Sequence, residues 1–264
     1  VFLEQLRSKK GFICDMDGVI YHGNKILPGV TNFVNWLYRE NKNFIFLTNS
    51  SQLTPREYQQ KLANLGIMID DENRFYTSAL ATAEFIRSQN PRASAYVIGA
   101  GGLMNALYDA GITNNDRNPD YVIVGETDSY NYSKIVKAVT LVNNGARLIG
   151  TNTDITGPME FGLVPACKSL ISPIEIASGK KAYFVGKPNP LIMRTALRLL
   201  NVHSEEAAII GDRMDSDIIA GIETGLDTCL VLSGVTDLDM LRNFPYAPRV
   251  VANNVGEVAE GNEV

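Results

Sequence analysis

Two groups of acidic residues stand where apolar runs of the sequence stop. Asp15 and Asp17 occur as Asp-Met-Asp-Gly directly after the run 11–14. Residues two apart in an extended chain point to the same side, so both carboxylates face one site. Such a pair suits a carboxylate nucleophile with a neighbouring group that gives and takes a proton. A solvated turn, which Gly18 permits, is the competing interpretation of so short a motif.

A second acidic cluster opens with Gly211-Asp212 and follows the run 207–210. In an open parallel sheet, ligands collect outside the carboxyl ends of strands, so the two clusters can meet in one crevice. Converging carboxylates favour a hard cation such as Mg²⁺, and Asp212 is the better ligand candidate. Asp215 and Asp217 could instead be residues favoured at a helix N-terminus. An EF-hand needs glutamate at position twelve of its loop, where Ile26 stands.

Three further polar residues also follow apolar runs. Thr48 and Asn49 end the run 43–47 and offer a hydroxyl and an amide to phosphate oxygens. Lys187 lies between glycine and proline, a rigid setting that could fix its ammonium on a phosphate. Taken alone, threonine and asparagine at a strand end are more often turn formers, and a single lysine is usually on the surface.

Short apolar runs alternate with amphipathic segments of helical period along the whole chain, which predicts an α/β fold with a largely parallel sheet. Thr54, Pro55 and Glu57 form a helix start with a capping threonine, and Gly66 ends that helix. We expect strands at 11–14, 43–47, 95–98, 121–124, 147–150, 183–185, 207–210 and 229–232, and further helices at 31–40, 78–89, 103–110, 132–143, 191–200 and 218–224. The acidic motifs occur only near the two ends. We therefore expect a core formed by 1–79 and 182–264, with a second α/β domain, 80–181, inserted into it.

The joint order of these motifs is specific, and it resembles the haloacid dehalogenase superfamily of phosphohydrolases over the whole chain. Within that superfamily the chain is similar to the NagD-like subfamily IIA, on the segments GKPNP, GDRMDSDI and LVLSGV at 186–190, 211–218 and 230–235. The resemblance implies a Rossmann-like core with an inserted C2-type cap. It also implies a phosphatase that uses Mg²⁺ and an aspartyl-phosphate intermediate.

The resemblance also implies a role for each motif. Asp15 is the expected nucleophile and Asp17 the general acid and base. Asp15, the backbone carbonyl of Asp17, and Asp212 are the expected Mg²⁺ ligands. Substrate and phosphate contacts are expected from Asp17, Thr48, Asn49, Lys187, Arg213, Met214, Asp215 and Ser216. Whether Asp217 orients Lys187 or only caps its helix stays open at this point.

The substrate should be recognised by the cap, where the resemblance places a loop over the active site. The segment 151–154 is the candidate for that loop. The segment GLVPAC at 162–167 is more similar to ribonucleotide monophosphatases than to phosphoglycolate phosphatases, which favours nucleoside monophosphates such as UMP. Sugar phosphates, phosphoglycolate and p-nitrophenyl phosphate are the alternatives. Lys168 stands where that family commonly has glycine, and we interpret it as a surface residue rather than as a contact to a second anionic group.

Composition limits the partners. A net charge of −5 gives no broad basic field for nucleic acid, so the expected partner is a small phosphomonoester. Neither a signal-peptide run nor a membrane-spanning run is found, which predicts a cytoplasmic protein without membrane contact. Cys14 and Cys229 lie within apolar runs and are expected in the core. A homo-oligomer is left open.

Other classes of function fit less well. The segment 97–102 resembles a dinucleotide-binding turn, but its third glycine is replaced by Met104. A phosphate-binding protein without activity is disfavoured because both acids of the first motif are present. His22 and His203 lie in no supporting motif, which disfavours histidine nucleophiles and histidine metal sites. A P-loop motif is not found.

Overall fold

A computed structural model of the chain describes residues 2–159 and 162–259. Its described residues form two compact units. Unit 1 takes its residues from Val1–Thr48, Gln59–Tyr76 and Lys187–Val264, and unit 2 from Asn49–Tyr58 and Thr77–Gly186. The domain boundaries expected from the sequence stay a prediction.

The helices and strands alternate along most of the described chain, as the hydrophobic pattern predicts. The helices are α1 Phe2–Arg7, α2 Val30–Arg39, α3 Pro55–Asn64, α4 Ser78–Gln89, α5 Gly101–Asp109, α6 Tyr132–Asn143, α7 Cys167–Ser178, α8 Pro190–Leu200, α9 Ile219–Thr224, α10 Leu238–Leu241 and α11 Gly256–Ala259. The strands are β1 Gly11–Cys14, β2 Tyr21–His22, β3 Lys25–Ile26, β4 Asn43–Thr48, β5 Phe75–Thr77, β6 Ser94–Ile98, β7 Thr113–Asn114, β8 Tyr121–Val124, β9 Arg147–Gly150, β10 Thr156–Met159, β11 Gly162–Pro165, β12 Tyr183–Phe184, β13 Ala207–Gly211, β14 Asp227–Val231 and β15 Val250–Ala252.

The sheet of unit 1 places β1 at its centre. Within the described residues the strand order is β15-β14-β13-β1-β4-β5. Strand β1 pairs in parallel with β13 on one side and with β4 on the other, so Gly11 lies opposite both Ala207 and Asn43. All four residues of β1 are buried. The chain segments before and after the long middle region therefore build one parallel sheet, and β1, β4 and β13 end at the same edge.

Unit 2 has a parallel sheet of its own. Its strand order in the described part of the chain is β12-β9-β8-β6-β7. Buried side chains of β8 and β9 pack with those of α6 and α7 in one hydrophobic cluster, which includes Val122, Leu148 and Ile171. Two antiparallel hairpins, β2-β3 and β10-β11, complete the strand pairs described. The predicted α/β class with parallel sheets is confirmed.

One glycine after β6, Gly102, has a packing role. A Cβ atom on Gly102 would lie 2.6 Å from the backbone carbonyl carbon and oxygen of Leu53. The Gly102 amide also donates a hydrogen bond of 2.8 Å to the carbonyl of Gln52. Close approach of two backbones accounts for this glycine.

Cys14 and Cys229 are buried, as predicted, and so is Cys167. Among the described residues, every helix is too short or too polar to cross a membrane.

Candidate active site

Asp15 follows β1 at the centre of the unit 1 sheet. Its amide donates a hydrogen bond of 2.9 Å to the carbonyl of Ile210, which extends the β1–β13 ladder to the catalytic candidate. Gly18 has φ of +78°, and a Cβ atom there would lie 2.4 Å from Oδ2 of Asp212. The turn after Asp15 therefore needs glycine for its conformation and for the approach of the second acidic motif.

Lys187 is buried in the middle of this site. Its Nζ donates to Oδ1 of Asp15 at 2.8 Å, to Oδ1 of Asp217 at 2.7 Å and to the carbonyl of Leu47 at 3.0 Å. Burial favours the neutral amine, but the carboxylates of Asp15 and Asp217 outweigh it and hold the pKa of Lys187 above its ordinary value. The sequence-predicted lysine is a charged ammonium that fixes one oxygen of Asp15.

Asp217 answers the question that the sequence left open. Besides its contact with Lys187, its Oδ2 accepts the amide of Arg213 at 3.1 Å. Burial raises the pKa of Asp217 to about 6, with the Asp15 charge adding to the effect and Lys187 opposing it. Because both oxygens are engaged, Asp217 anchors Lys187. It lies in a single π-helical turn, Met214–Ile218, that precedes α9.

Asp212 carries the clearest sign of a missing partner. Its Oδ2 accepts the amide of Val235 at 2.7 Å, whereas its Oδ1 is buried and has no hydrogen-bond partner among the described residues. Burial, and then the charges of Asp15 and Asp217, raise the pKa of Asp212 well above its ordinary value. Ligand oxygens of Asp15, Asp212 and Asp217 lie within 4.8 Å of one another. This arrangement of hard oxygen donors suits a divalent cation such as Mg²⁺.

Asp17 is coupled to two residues that the sequence did not single out. The hydroxyl of Tyr21 donates to Oδ2 of Asp17 at 3.4 Å, and Nζ of Lys61 lies 3.7 Å from the centroid of the Tyr21 ring. Burial raises the pKa of Asp17, while Lys61 and Tyr21 oppose the rise. Both residues look like ordinary members of a strand and an amphipathic helix, so no sequence signal marks them.

The remaining predicted contacts divide between the two units. Thr48 is buried in unit 1 at the end of β4. Asn49 belongs to unit 2, where its Nδ2 donates to Oδ2 of Asp154 at 3.2 Å.

The loop after β13 holds the last four predicted contacts. Arg213 forms an ion pair of 3.2 Å with Asp215, whose side chain is 60% exposed, whereas Met214 and Ser216 are buried. The carboxylate of Asp215 therefore pairs with Arg213 and is not part of the acidic cluster.

Unit 2 has a cluster of hydrogen-bonded polar residues at the carboxyl ends of β8 and β9. Glu126 accepts hydrogen bonds from the amide and hydroxyl of Ser51 and from Nδ2 of Asn152. Asn152 also donates to the carbonyl of Asn49 at 2.7 Å. We call Asn49, Ser51, Glu126, Asn152 and Asp154 the Glu126 cluster. It includes two residues of the 151–154 segment that the sequence predicts to recognise substrate.

Lys168 has a structural partner. Its Nζ lies 2.8 Å from Oε2 of Glu175, which is buried, and 4.5 Å from the centroid of the Phe184 ring. The side chain of Lys168 is 33% exposed. It is therefore half-buried and paired, which explains a lysine at this position without a ligand.

Comparison with known proteins agrees with the site. Residues 12–113 match the haloacid dehalogenase-like hydrolase family, and residues 184–258 match the HAD-hydrolase-like family. The chain is 45% identical to the ribonucleotide monophosphatase NagD of Escherichia coli K12, over 94% of this chain and 98% of that protein. It is 43% identical to the dihydroxyacetone phosphatase of Corynebacterium glutamicum, over 94% of this chain and 90% of that protein. The solved structure of NagD from E. coli K-12 superposes with a TM-score of 0.88, covering 95% of this chain and 98% of that one.

The parallel sheets, the ordered motifs and these similarities define a phosphoric monoester hydrolase of the haloacid dehalogenase class. Within that class, the chain belongs to the NagD-like family.

Proposed function

We propose that this phosphatase depends on Mg²⁺, works through a phosphoaspartate on Asp15, and acts preferentially on nucleoside monophosphates such as UMP. The observation that supports the mechanism most directly is the buried cluster in which Lys187 holds one oxygen of Asp15 beside the unpaired oxygen of Asp212. An ion-paired carboxylate at the edge of a sheet, next to an incompletely neutralised acidic cluster, suits attack on a phosphate ester.

Asp15 supplies the nucleophile. Its Oδ1 is fixed by Lys187 at 2.8 Å, which leaves Oδ2 as the attacking oxygen. A bond forms between Oδ2 and phosphorus as the bond from phosphorus to the leaving oxygen breaks. Water then attacks the phosphoaspartate, which releases inorganic phosphate and regenerates the carboxylate. The ammonium of Lys187, which is positively charged in this setting, also stabilises charge on the transferring phosphoryl group.

Asp17 moves the proton in both steps. Its raised pKa keeps a larger fraction protonated near neutral pH than an exposed carboxyl would have, so it can protonate the leaving oxygen. The resulting carboxylate then takes a proton from the attacking water. The long contact from Tyr21, at 3.4 Å, holds the Asp17 side chain without committing both of its oxygens.

The acidic residues fit a magnesium ion. Asp15, Asp212 and the backbone carbonyl of Asp17 would hold it, and Asp217 is engaged by Lys187 and Arg213. When bound, Mg²⁺ neutralises charge on the phosphoryl oxygens and between the carboxylates. The unpaired Oδ1 of Asp212 is the donor that the protein leaves available for it.

Further substrate contacts are proposed from the polar residues that the sequence motifs predict. Thr48, Asn49 and the loop Arg213, Met214, Asp215 and Ser216 supply hydroxyl, amide and backbone donors for phosphate and its substituent. The substrate preference follows from the E. coli relative, which is named a ribonucleotide monophosphatase. Dihydroxyacetone phosphate and other sugar phosphates are the second candidate class, because the C. glutamicum relative is almost as similar and is named for that substrate. The cytoplasmic location and the oligomeric state stay predictions.

Phosphate release from a substrate panel tests the proposal. The panel contains UMP and other nucleoside monophosphates, dihydroxyacetone phosphate, a hexose phosphate, phosphoglycolate and p-nitrophenyl phosphate, each with and without Mg²⁺. Wild type is compared with Asp15→Asn and with Asp239→Asn, a matched change at a side chain that is 90% exposed. We expect Asp15→Asn to lower kcat at least about a thousandfold and Asp239→Asn to leave it unchanged.

The outcomes separate mechanism from substrate. Full activity in Asp15→Asn contradicts the assignment of Asp15 as the nucleophile. Turnover that is equal with Mg²⁺ and with EDTA contradicts the dependence on a metal. A kcat/KM for dihydroxyacetone phosphate that exceeds the value for UMP moves the preference to the second class while leaving the mechanism in place.

A further inference from the structure

A cavity lies in unit 2, at the edge of the sheet opposite to the Glu126 cluster. Its lining includes Tyr121, Arg147 and Tyr183, which are the first residues of β8, β9 and β12. The Glu126 cluster follows the last residues of β8 and β9. Because parallel strands begin at one edge and end at the other, the cavity and the cluster are separate features of the same unit.

The cavity has the size and walls of a small-molecule site. Its volume is about 490 Å³, within the range of roughly 300–1,000 Å³ that is usual for ligand pockets. One wall is aromatic: the rings of Phe85 and Tyr183 stack with their centroids 5.0 Å apart and their planes at 29°. Tyr183 is 44% exposed, so part of its ring faces solvent. Tyr121 forms a further aromatic part of the lining.

The charges that line the cavity are all of one sign. Arg147, Lys180 and Lys181 are in the lining, and no acidic residue is. None of the three forms an ion pair with a carboxylate in residues 2–159 or 162–259. The guanidinium of Arg147 is positioned by its own wall, because it donates to the hydroxyl of Tyr121 at 3.1 Å and lies 5.1 Å from the centroid of that ring.

Acidic residues near the cavity are already committed elsewhere. Asp120 accepts hydrogen bonds from the amide and hydroxyl of Ser94, and these lower its pKa, with a smaller effect from Arg147. Glu175 is paired with Lys168, which lowers the pKa of Glu175 more than the charge of Lys181 does. Three cations around an aromatic wall, in a chain whose net charge is −5, are the arrangement expected of an anion-binding site.

We infer that this cavity binds a small organic anion with a flat ring, and nucleoside phosphates are the class that fits it. The fork of Arg147 and the ammonium groups of Lys180 and Lys181 recognise the phosphate. The Phe85 and Tyr183 wall packs against the ring. None of the residues that line the cavity is among those assigned to the phosphatase reaction, so the bound anion is an effector or a stored ligand rather than the molecule being hydrolysed.

Calorimetric titration with AMP tests the inference. The protein is the full chain with Asp15→Asn, kept in EDTA, so that AMP is not hydrolysed during the experiment. We compare this protein with the same chain carrying Arg147→Ala and Lys181→Ala, and with a matched control carrying Arg92→Ala and Arg117→Ala, two exposed residues of unit 2 outside the cavity. We expect the dissociation constant of AMP at the cavity to rise at least tenfold in the cavity variant. In the control it should stay unchanged.

Two further measurements make every outcome decisive. Inorganic phosphate and ribose 5-phosphate are titrated as probes without a flat ring, and Tyr183→Ala is expected to weaken AMP at least threefold without affecting inorganic phosphate. Identical AMP isotherms for the cavity variant and its parent overturn the inference. Equal affinity for AMP and ribose 5-phosphate overturns the assignment of the ring. The cavity variant could also change the sedimentation of the protein without changing its affinity for AMP. That result would show that a second copy of the chain occupies the cavity, and it would overturn the inference as well. Thermal unfolding of each variant shows that it is folded.

Discussion

Each unit of this protein contains a lysine that is paired with a buried carboxylate, and the two regions differ in their balance of charge. In unit 1, the ammonium of Lys187 contacts Asp15 and Asp217, and the carboxylate of Asp212 lies within the same cluster. In unit 2, Glu175 is the one carboxylate that pairs with Lys168 among the described residues. Both oxygens of Glu175 are used, because Oε1 accepts the amide of Ala182 at 2.9 Å. One region therefore has three carboxylates for one cation, and the other has one for one.

The difference separates an ion pair that supports the fold from a site built for chemistry. A matched pair with satisfied oxygens can remain as it is, and Lys168 with Glu175 needs nothing further. The cluster around Lys187 keeps a surplus of negative charge and one buried oxygen, on Asp212, without a hydrogen bond. Such a surplus is unfavourable in the folded chain alone and becomes favourable when a cation and a phosphate complete it. The variants below test this contrast, from the largest expected effect to the smallest.

Replacing Lys187 by Met should have the largest effect. It removes the only ammonium in contact with Asp15 and Asp217 among the described residues. We expect kcat to fall at least about a hundredfold, as when a single group that stabilises transition-state charge is lost. Without metal at pH 7, unfolding free energy should fall by about 3–5 kcal/mol, because buried carboxylates lose their partner.

Steady-state kinetics and urea unfolding in EDTA measure the two effects of Lys187→Met. In the variant, the pKa values of the buried carboxylates in the folded state lie above those in the unfolded state. Their contribution to stability is therefore present at low pH and is lost as pH rises. The deficit of the variant should accordingly be larger at pH 7 than at pH 4. A kcat within threefold of wild type would contradict the role of Lys187.

The pH dependence of stability should change when Asp217 becomes Asn. Its pKa of about 6 lies above the ordinary value of 3.8, so the folded state binds a proton more tightly than the unfolded state. Its contribution is fully present below about pH 4 and is lost as pH rises through 6. In EDTA, Asp217→Asn should remove up to roughly 3 kcal/mol of the decline in unfolding free energy between pH 4 and pH 6.5.

Urea unfolding at pH 4, 5 and 6.5 measures this change, with Asp239→Asn as the exposed control. An identical pH profile in Asp217→Asn and wild type would show that the charge surplus is smaller than the cluster implies.

Lys168→Met tests the matched pair in unit 2. The change leaves buried Glu175 with the amide of Ala182 as a partner. We expect unfolding free energy to fall by about 1–2 kcal/mol at pH 7, reduced by the partial exposure of Lys168. The activity on p-nitrophenyl phosphate should stay within twofold of wild type.

The pH dependence of this effect has the opposite sign from that of Asp217. Burial raises the pKa of Glu175, but Lys168 outweighs burial and holds it below its ordinary value. Its stabilising contribution is therefore present above the unfolded pKa and is lost as pH falls through the folded value. Denaturant titrations of Lys168→Met and of Lys25→Met, an exposed control, at pH 4 and pH 7 test this sign. A hundredfold loss of kcat in Lys168→Met would remove the contrast between the two lysines.

Tyr21→Phe should have the smallest effect. The hydrogen bond from the Tyr21 hydroxyl to Asp17 is long, at 3.4 Å, so its loss should lower kcat by about two- to fivefold, equivalent to roughly 0.5–1 kcal/mol. The ring that lies under Lys61 is kept, so stability should change little. A pH–rate profile measures the effect. A kcat that falls more than fiftyfold would mean that Asp17 depends on this hydroxyl far more than the geometry indicates.

Most regular elements could be predicted because their burial patterns are simple. The fully buried runs of β1 and β8 and the capped helix α3 have clear local signals. Helix α7 was not predicted, since Pro173 interrupts its pattern although tertiary packing of Ile171 and Ile174 keeps it helical. Short strands such as β5, β7 and β15 escape prediction because two or three residues give no period to count.

The residues of the site also divide into those that the sequence predicts and those that only the structure reveals. Asp15 and Asp212 lie together because they follow β1 and β13, which are neighbours in one sheet, as the motif order indicates. Lys187 follows β12, a strand of the other sheet, so its contact with Asp15 is not explained by a shared sheet edge. The role of Asp217 could not be read from its position, because a π-helical turn, and not the sequence pattern, aims it at Lys187. Tyr21 and Lys61 reach Asp17 only through tertiary structure.

The position of β1 has a consequence for biosynthesis. Among the strands of its sheet β1 is synthesised before all the others, whereas its partner β13 is synthesised only after unit 2, so Gly11 cannot pair with Ala207 until then. During translation the ribosome therefore releases a hydrophobic strand long before one of its two hydrogen-bonding partners exists, and distant pairings of this kind form slowly. Asp15 consequently contacts Lys187 and Asp212 only after both have been synthesised, so a nascent or truncated chain that stops before residue 212 lacks two of the three carboxylates of the acidic cluster.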